Sequence, residues 1–249
     1  MIKCQPCGCK GIRTCLLCEA SKPPSPTKAT TLLQYCLHCY TTHCPHLSQL
    51  GPVLSGVIVI EEFISEETEK ELVKEIDCGE WAQSQSGRLK QDYGPRANYK
   101  KQKMKMGGFK GLPRYSKDVL EMLGGLEGMS DFIPVEQCNL DYNSERGSGV
   151  DPHFDDFWLW GERLVILNLL SDSCLTFSKD KYEVRIPMKR LSLLIIKGVA
   201  RHKWKHCIAR EDISKRRISV TFRELSERFL SGERKEDGQI IVEVASNFI

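Results

Sequence analysis

The chain has no uninterrupted apolar run approaching the roughly 20 residues that a membrane-spanning helix needs, so no helical span is expected. Nor does an apolar stretch follow Met1-Ile2-Lys3-Cys4, so the sequence gives no sign of a secretory leader. Net charge is equally scarce: 36 Lys and Arg stand against 33 Asp and Glu, a balance of +3. That excludes a global basic field as a reason for binding nucleic acid, and any such case must rest on local clustering. Composition therefore points to a soluble protein with no membrane partner, and a cytoplasmic and nuclear location is the expectation.

What is plentiful is cysteine. Eight of the 12 cysteines fall within the first 44 residues, and in a chain of this kind thiols or metal ligands are expected rather than disulfides. The first cluster reads Cys4-x2-Cys7-x-Cys9-x5-Cys15-x2-Cys18, with Gly8 and Gly11 supplying turns. Two close pairs of thiolates suit tetrahedral zinc, and a metal can replace a core too small to form. Cys7, Cys9, Cys15 and Cys18 are the favoured set, and Cys4 could substitute for Cys7 or Cys9. Residues 20–31 are rich in Pro, Ser and Thr and read as a linker. A second, less regular cluster follows at Cys36-x2-Cys39, with His38, His43, Cys44 and His46 nearby.

With 249 residues, 41% of them apolar, the chain can bury one substantial core. A β-branched strand over Leu54 to Ile60 is followed by Ser65 as a helix N-cap, with Glu66 and Glu67 at the positive helix end. A second helix is expected near Ser116 to Leu123. Beyond it come many short strands: Val135 to Tyr142, Arg163 to Leu170, then others around Leu175, Val184, Leu191 to Ile196, Trp204 to Ile208 and Arg217 to Arg223. Such a series argues for a mainly β, α+β fold, a β-sandwich or jelly roll with helices packed outside. The expected domains are residues 1–50, a Cys-rich segment and linker; 51–225, the catalytic-sized unit; and 226–249, a terminal extension without chemistry.

The chemistry centres on Asp151-Pro-His-Phe-Asp-Asp156. On a strand, His153 and Asp155 would project to one face, and one more histidine would complete a 2-His-1-carboxylate triad for Fe(II) with three open positions. His206 is favoured because it directly precedes the apolar Cys207-Ile208; His202, two turns of alternation earlier, is the alternative. Arg217-x-Ser219-x-Thr221-x-Arg223 then places two guanidiniums and two hydroxyls on one strand face, able to grip a dicarboxylate. Between Arg88 and Lys110 eight basic residues face one acid, Asp92, and are interleaved with Tyr93, Tyr99 and Phe109. Basic and stacking residues together could hold a phosphate backbone or an acidic protein surface, while Met106-Gly107-Gly108 suggests a mobile segment.

From about Leu54 to Leu225 these residues resemble the AlkB-type Fe(II)/2-oxoglutarate dioxygenases. The likeness rests on His153-x-Asp155, on His206, and on Arg217-x-Ser219-x-Thr221-x-Arg223, which is similar to that family's Arg-x-Asn-x-Thr-x-Arg with Ser219 in place of Asn. Tyr142 matches the family's 2-oxoglutarate-binding tyrosine, and Leu140 stands where an Asn is common. The Cys7 to Cys18 string, Ser84-Gln-Ser-Gly-Arg88 and Gln91-Asp-Tyr-Gly-Pro95 resemble the homologue 4 branch. The resemblance implies Fe(II), 2-oxoglutarate and O2 as cofactors, with Tyr142, Arg217, Ser219, Thr221 and Arg223 on the co-substrate. It implies oxidative N-demethylation, with methylated lysine of actin as a protein substrate, actomyosin components as partners, and N6-methyladenine in DNA as a further substrate. Because the family places its substrate-gripping lid ahead of the metal strand, Arg88, Tyr93, Lys100, Lys101 and Lys103 are expected to touch substrate, with Asp156 and Trp158 to Trp160 at the rim. Two rival readings remain: a zinc-bearing adaptor with a silent jelly roll, and a cupin-type metal enzyme without 2-oxoglutarate.

Overall fold

The computed structural model describes Cys9, Cys15, Leu16 and residues 30–249, apart from the side chain of Lys100. In chain order, β1 (Thr31–Leu33) and β2 (Val57–Ile60) precede helix α1 (Glu66–Cys78), then β3 (Ala82–Gln83), β4 (Leu89–Tyr93), β5 (Arg96–Asn98) and β6 (Lys103–Lys105). Helix α2 (Lys117–Gly124) leads to β7 (Pro134–Tyr142), β8 (Val150–His153), β9 (Trp160–Leu169), β10 (Ser173–Lys179), β11 (Tyr182–Met188) and β12 (Leu193–Ile196). Helix α3 (Gly198–Lys203), β13 (Lys205–Ile208), β14 (Arg217–Leu225), α4 (Glu227–Leu230) and α5 (Lys235–Ala245) complete it.

Seven strands form one sheet in the order β2-β12-β9-β14-β7-β4-β3, and five form a second in the order β1-β11-β10-β13-β8. The two close over a shared core in which Phe177, Val184 and Ile186 of the smaller sheet meet Leu164, Ile166, Leu194 and Ile196 of the larger. Alternation then sends Val165, Leu167, Ile218, Val220 and Phe222 to the opposite face, where they pack against Leu72 and Ile76 of α1 and Val119 and Leu123 of α2. The central strands are therefore buried on both sides, the reason β9 reads as an almost continuous apolar run. Ser65 caps α1 as expected, its hydroxyl accepting from Thr68 N at 3.1 Å.

The C-terminal helices close a third cluster of Leu112, Val135, Leu159 and Leu225 with Phe229 and Ile241. At the other end, β1 pairs in parallel with β11. The segment after it is tied to the barrel at Gly56, whose carbonyl accepts from Lys197 N at 2.8 Å. Gly56 has φ +92°, and a Cβ there would lie 2.2 Å from the Lys197 carbonyl oxygen, so only glycine fits. Among the described residues no helix is long and apolar enough to cross a membrane.

Candidate active site

Strand register brings the two histidines together. His153 at the end of β8 is the direct antiparallel partner of His206 on β13, with ring centroids 4.4 Å apart. Asp155 is not on the strand, as period-two reasoning expected, but in the loop beyond it. Its Oδ1 nevertheless lies 3.5 Å from His153 Nε2. One donor atom from each of the three side chains lies within 4.8 Å of the others, compatible with one face of an octahedral ion, whose donors sit about 3 Å apart. His202 is excluded by its place: it lies on helix α3, exposed, with Nε2 2.7 Å from a Glu162 oxygen.

The electrostatics suit metal binding. Burial, reinforced by the neighbouring His153, pushes the His206 imidazole down to about 3, so the neutral ligand form prevails at neutral pH. Burial opposes ionisation of Asp155 too, but the Arg223 guanidinium and the two imidazoles hold its carboxyl well below the usual carboxylate range. Arg223 Nε donates to Asp155 Oδ2 at 2.9 Å, which leaves Oδ1 turned toward His153. The loop carrying this carboxylate is itself held by Arg201, a buried residue that sequence reading passed over. Its guanidinium donates to the main-chain oxygens of Asp155 at 2.8 Å, Asp156 at 3.2 Å and Trp160 at 3.3 Å. Those partners are backbone atoms, so no motif could have announced them.

Alternation along β14 places Arg217, Ser219, Thr221 and Arg223 on the inner face, lining a cavity of about 210 Å³ that also contains His153, Asp155 and His206. The two arginines are not equivalent. Arg223 joins two carboxylates, Asp155 and, at 2.6 Å, Glu136. Among the described residues Arg217 meets none: its Nε donates to Asn168 Oδ1 at 2.6 Å, its guanidinium carbon lies 4.8 Å from the Tyr142 ring centroid, and its buried Nη1 has no partner among them. Asn168, also missed from sequence, is aimed by donating to the carbonyls of Ser171 at 3.0 Å and Lys189 at 2.9 Å. A buried cation lacking a counter-charge is penalised by several kcal/mol, and a carboxylate is the group that matches a free guanidinium edge. The residues therefore fit an iron ion at one end of the cavity and an acidic co-substrate reaching Arg217 at the other.

The expected substrate residues divide. Arg88 is buried and lines this inner cavity, 6.0 Å from the Tyr142 ring. Tyr93 lines an adjoining groove of about 770 Å³ with Asp92, Tyr99, Phe109, Glu136 and Trp160. Lys101, between β5 and β6, and Lys103, on β6, are exposed, and the Lys100 side chain lies outside the described set. Asp156 is turned to its own loop, accepting from Trp158 N at 2.9 Å. The expectation that Trp158 forms a rim is corrected: it is 8% exposed and packs on Phe229 with centroids 5.7 Å apart. Leu159 is buried with it, Trp160 alone borders the groove, and the exposed aromatics of this loop are Phe154 and Phe157. Of the first cysteine cluster, Cys4, Cys7 and Cys18 lie outside the described residues; Cys9 Sγ accepts from Ser86 N at 3.2 Å and Cys15 is buried. The cysteines that converge among the described residues are Cys36, Cys39 and Cys44, with His46.

No protein-family profile matches the chain. It is 42% identical to the mouse alpha-ketoglutarate-dependent dioxygenase alkB homolog 4, covering 98% of this chain and 95% of the relative. It is 44% identical to the human protein of that name, covering 97% and 94%. A Caenorhabditis elegans DNA N6-methyl adenine demethylase is 34% identical over 92% of this chain and 89% of its own length. Fe(II), 2-oxoglutarate and O2 are the cofactors such a family implies. Near-full-length identity of this degree, on a jelly roll that brings His153, Asp155 and His206 around one point, places the chain in the AlkB-type, alpha-ketoglutarate-dependent dioxygenases, with the alkB homolog 4 proteins as its relatives.

Proposed function

We propose that this dioxygenase demethylates nitrogen oxidatively and that the nitrogen belongs to a methylated lysine side chain of a protein. The observation that carries the reading is the groove beside the metal-ligand cluster, where the Glu136 carboxylate sits among Tyr93, Tyr99, Phe109 and Trp160. Lys90 answers Asp92 at the groove's side, but Glu136 must share the single Arg223 guanidinium with Asp155. Aromatic faces with an under-neutralised carboxylate attract an alkylammonium cation; a neutral base would add no charge to what the shared Arg223 already supplies that carboxylate. The homologue 4 resemblance implies actin as the protein bearing the lysine.

His153, Asp155 and His206 would hold the iron. Arg217, flanked by Tyr142, Ser219 and Thr221, would anchor the far carboxylate of 2-oxoglutarate. Arg223 fixes which Asp155 oxygen is free and links it to Glu136, so the wall between metal and groove is one hydrogen-bonded chain. Bound there, iron with 2-oxoglutarate and O2 would supply the oxidant for hydroxylating an N-methyl carbon, the co-substrate leaving as succinate and CO2 and the methyl carbon as formaldehyde. A second reading, N6-methyladenine in DNA, is favoured by the name of the nematode relative and by exposed Arg96, which lines the groove, and Lys101, Lys103 and Lys105 on the same hairpin.

The test is mass spectrometry of methylated lysine peptides and N6-methyladenine oligonucleotides incubated with the iron-loaded protein and 2-oxoglutarate. Loss of a methyl mass from peptide, with formaldehyde released and no reaction by Asp155→Ala, is expected. Demethylation of the oligonucleotide alone would move the assignment to DNA.

A further inference from the structure

We propose that Cys36, Cys39, Cys44 and His46 form a structural zinc site that fastens residues 31–56 to the barrel behind the active site. The four donor atoms lie within 4.8 Å of one another. His46 Nδ1 is 3.4 Å from Cys36 Sγ and 3.3 Å from Cys39 Sγ. A tetrahedral zinc with Zn–S near 2.3 Å and Zn–N near 2.05 Å sets sulfur and nitrogen about 3.6 Å apart, so an ion enters with shifts of only a few tenths of an ångström.

The backbone is shaped for the same purpose. Cys36 and Thr41 exchange main-chain hydrogen bonds at 2.9 and 3.3 Å, turning the chain so that Cys36 and Cys39 face each other. Cys39 N points at Cys36 Sγ at 3.4 Å, the N–H to thiolate contact that supports a metal-bound sulfur. Tyr40, directly after, has φ +51°, a left-handed conformation that a bulky residue holds only where its surroundings impose it. The cluster's other histidines are otherwise placed: His43 Nδ1 lies 3.0 Å from Thr42 Oγ1, and the His38 ring is tilted against His46 with centroids 5.7 Å apart.

This knuckle has no apolar core of its own. Leu37 and Leu50 are 42% and 92% exposed, while Leu33 and Leu54 are committed to the barrel core. A segment so built needs another source of order, and a bound metal supplies it. Three thiolates and an imidazole form a soft donor set that selects zinc, whereas the nitrogen and oxygen donors of His153, Asp155 and His206 suit iron. Two metals are thereby sorted by ligand chemistry within one chain. The knuckle also touches the segment that leads into the metal-ligand strand. Thr42 N donates to Leu54 O and Gly56 N to Tyr40 O; Ala200 N donates to Ser55 O, and Trp204 Nε1 to Val53 O at 2.9 Å. Trp204 lies two residues before His206, so the knuckle braces the strand that carries it.

Metal content of the full-length protein, purified under reducing conditions, is measured by inductively coupled plasma mass spectrometry for Cys39→Ser, Cys44→Ser and His46→Cys beside the parent. Zinc is expected to fall by one per chain in both serine variants and to be retained in His46→Cys. The cobalt-substituted form of His46→Cys should change from a three-sulfur to a four-sulfur ligand-field spectrum. Zinc bound elsewhere, including at the first cysteine cluster, cancels in these differences. Unchanged zinc in both serine variants overturns the site, as does a cobalt spectrum indifferent to His46→Cys or a Cys36–Cys39 disulfide in zinc-free protein. If the serine variants do not fold, the His46→Cys spectrum decides alone.

Discussion

At the scale of single residues, the two arginines of β14 have opposite relations to their surroundings, and this separates their mutants. Arg223 is neutralised from two sides, by Asp155 and Glu136, whereas Arg217 is 1% exposed with one nitrogen unpartnered. Replacing a buried cation that lacks a counter-charge by an apolar group of similar length removes its desolvation cost, which offsets the lost hydrogen bond to Asn168 when no ligand is present. Arg217→Met should therefore leave the thermal midpoint of ligand-free protein unchanged or raised. Losing a charged hydrogen-bond partner weakens binding by about 2–5 kcal/mol, so the variant's KM for 2-oxoglutarate should rise by about two orders of magnitude. Equal stabilisation of parent and variant by 2-oxoglutarate in thermal-shift titration would show that Arg217 does not hold it. Glu136 gives a pH signature. Burial, partly opposed by Arg223, pushes its carboxyl up to about 6 from an ordinary 4.5. The folded state thus binds this proton more tightly than the unfolded chain does, so Glu136's contribution is fullest below pH 4.5 and is lost as pH rises through about 6. Glu136→Gln, which cannot ionise, should gain about 2 kcal/mol relative to the parent between pH 4.5 and 7, measured by urea unfolding at both values. A difference independent of pH would show that Glu136 titrates normally.

Between residues and the whole stand the strands, where sequence proved informative in some places and silent in others. The division of β14 into an inner polar and an outer apolar face follows from its period of two, and the structure adds that the outer face is packed by α1 and α2. Phe222, fully buried on that outer face, should therefore matter to stability and not to co-substrate. Phe222→Ala is expected to cost about 3–5 kcal/mol while leaving the KM for 2-oxoglutarate unchanged; chemical denaturation beside steady-state kinetics checks both halves. The choice of His206 was legible because it precedes an apolar pair. Its pairing with His153 was not, since register between strands more than 50 residues apart depends on what the intervening hairpin folds against. Helix α3 escaped notice because six residues give too little periodicity to read, so His202 was placed on a strand and Arg201 overlooked. Trp158 was misplaced for a related reason: an aromatic run next to a ligand motif reads as a rim, and only the docking of α4, with Phe229, shows it to be core.

For the whole molecule, a net charge of +3 conceals an uneven distribution. The hairpin β5–β6 is seated on the third core cluster through Ala97, Met104, Met106 and Phe109. Its neighbour Gln102 accepts from Arg228 Nη1 at 3.2 Å. What was expected as a free segment is thus a docked wall of the groove, with Lys101, Lys103 and Lys105 exposed on its outside and Glu136 buried at its inner end. On the lysine-demethylase reading proposed above, basic rim and acidic floor would have different tasks: the rim would steer a negatively charged surface inward, and the floor would receive a cation. Rim charges act chiefly on association and its salt dependence. The triple variant Lys101→Ala, Lys103→Ala, Lys105→Ala should lower kcat/KM for a methylated protein substrate by about tenfold at low ionic strength, with the deficit shrinking as salt screens the parent. Uncoupled 2-oxoglutarate decarboxylation should be unaffected, because none of the three lysines lines the inner cavity. For DNA the same variant would change binding differently: removing three phosphate contacts lowers the slope of log K against log salt by about 2.7. Measuring both quantities across a salt series assigns the rim to protein or nucleic acid, and a triple variant indistinguishable from the parent in both would remove the hairpin from substrate recognition.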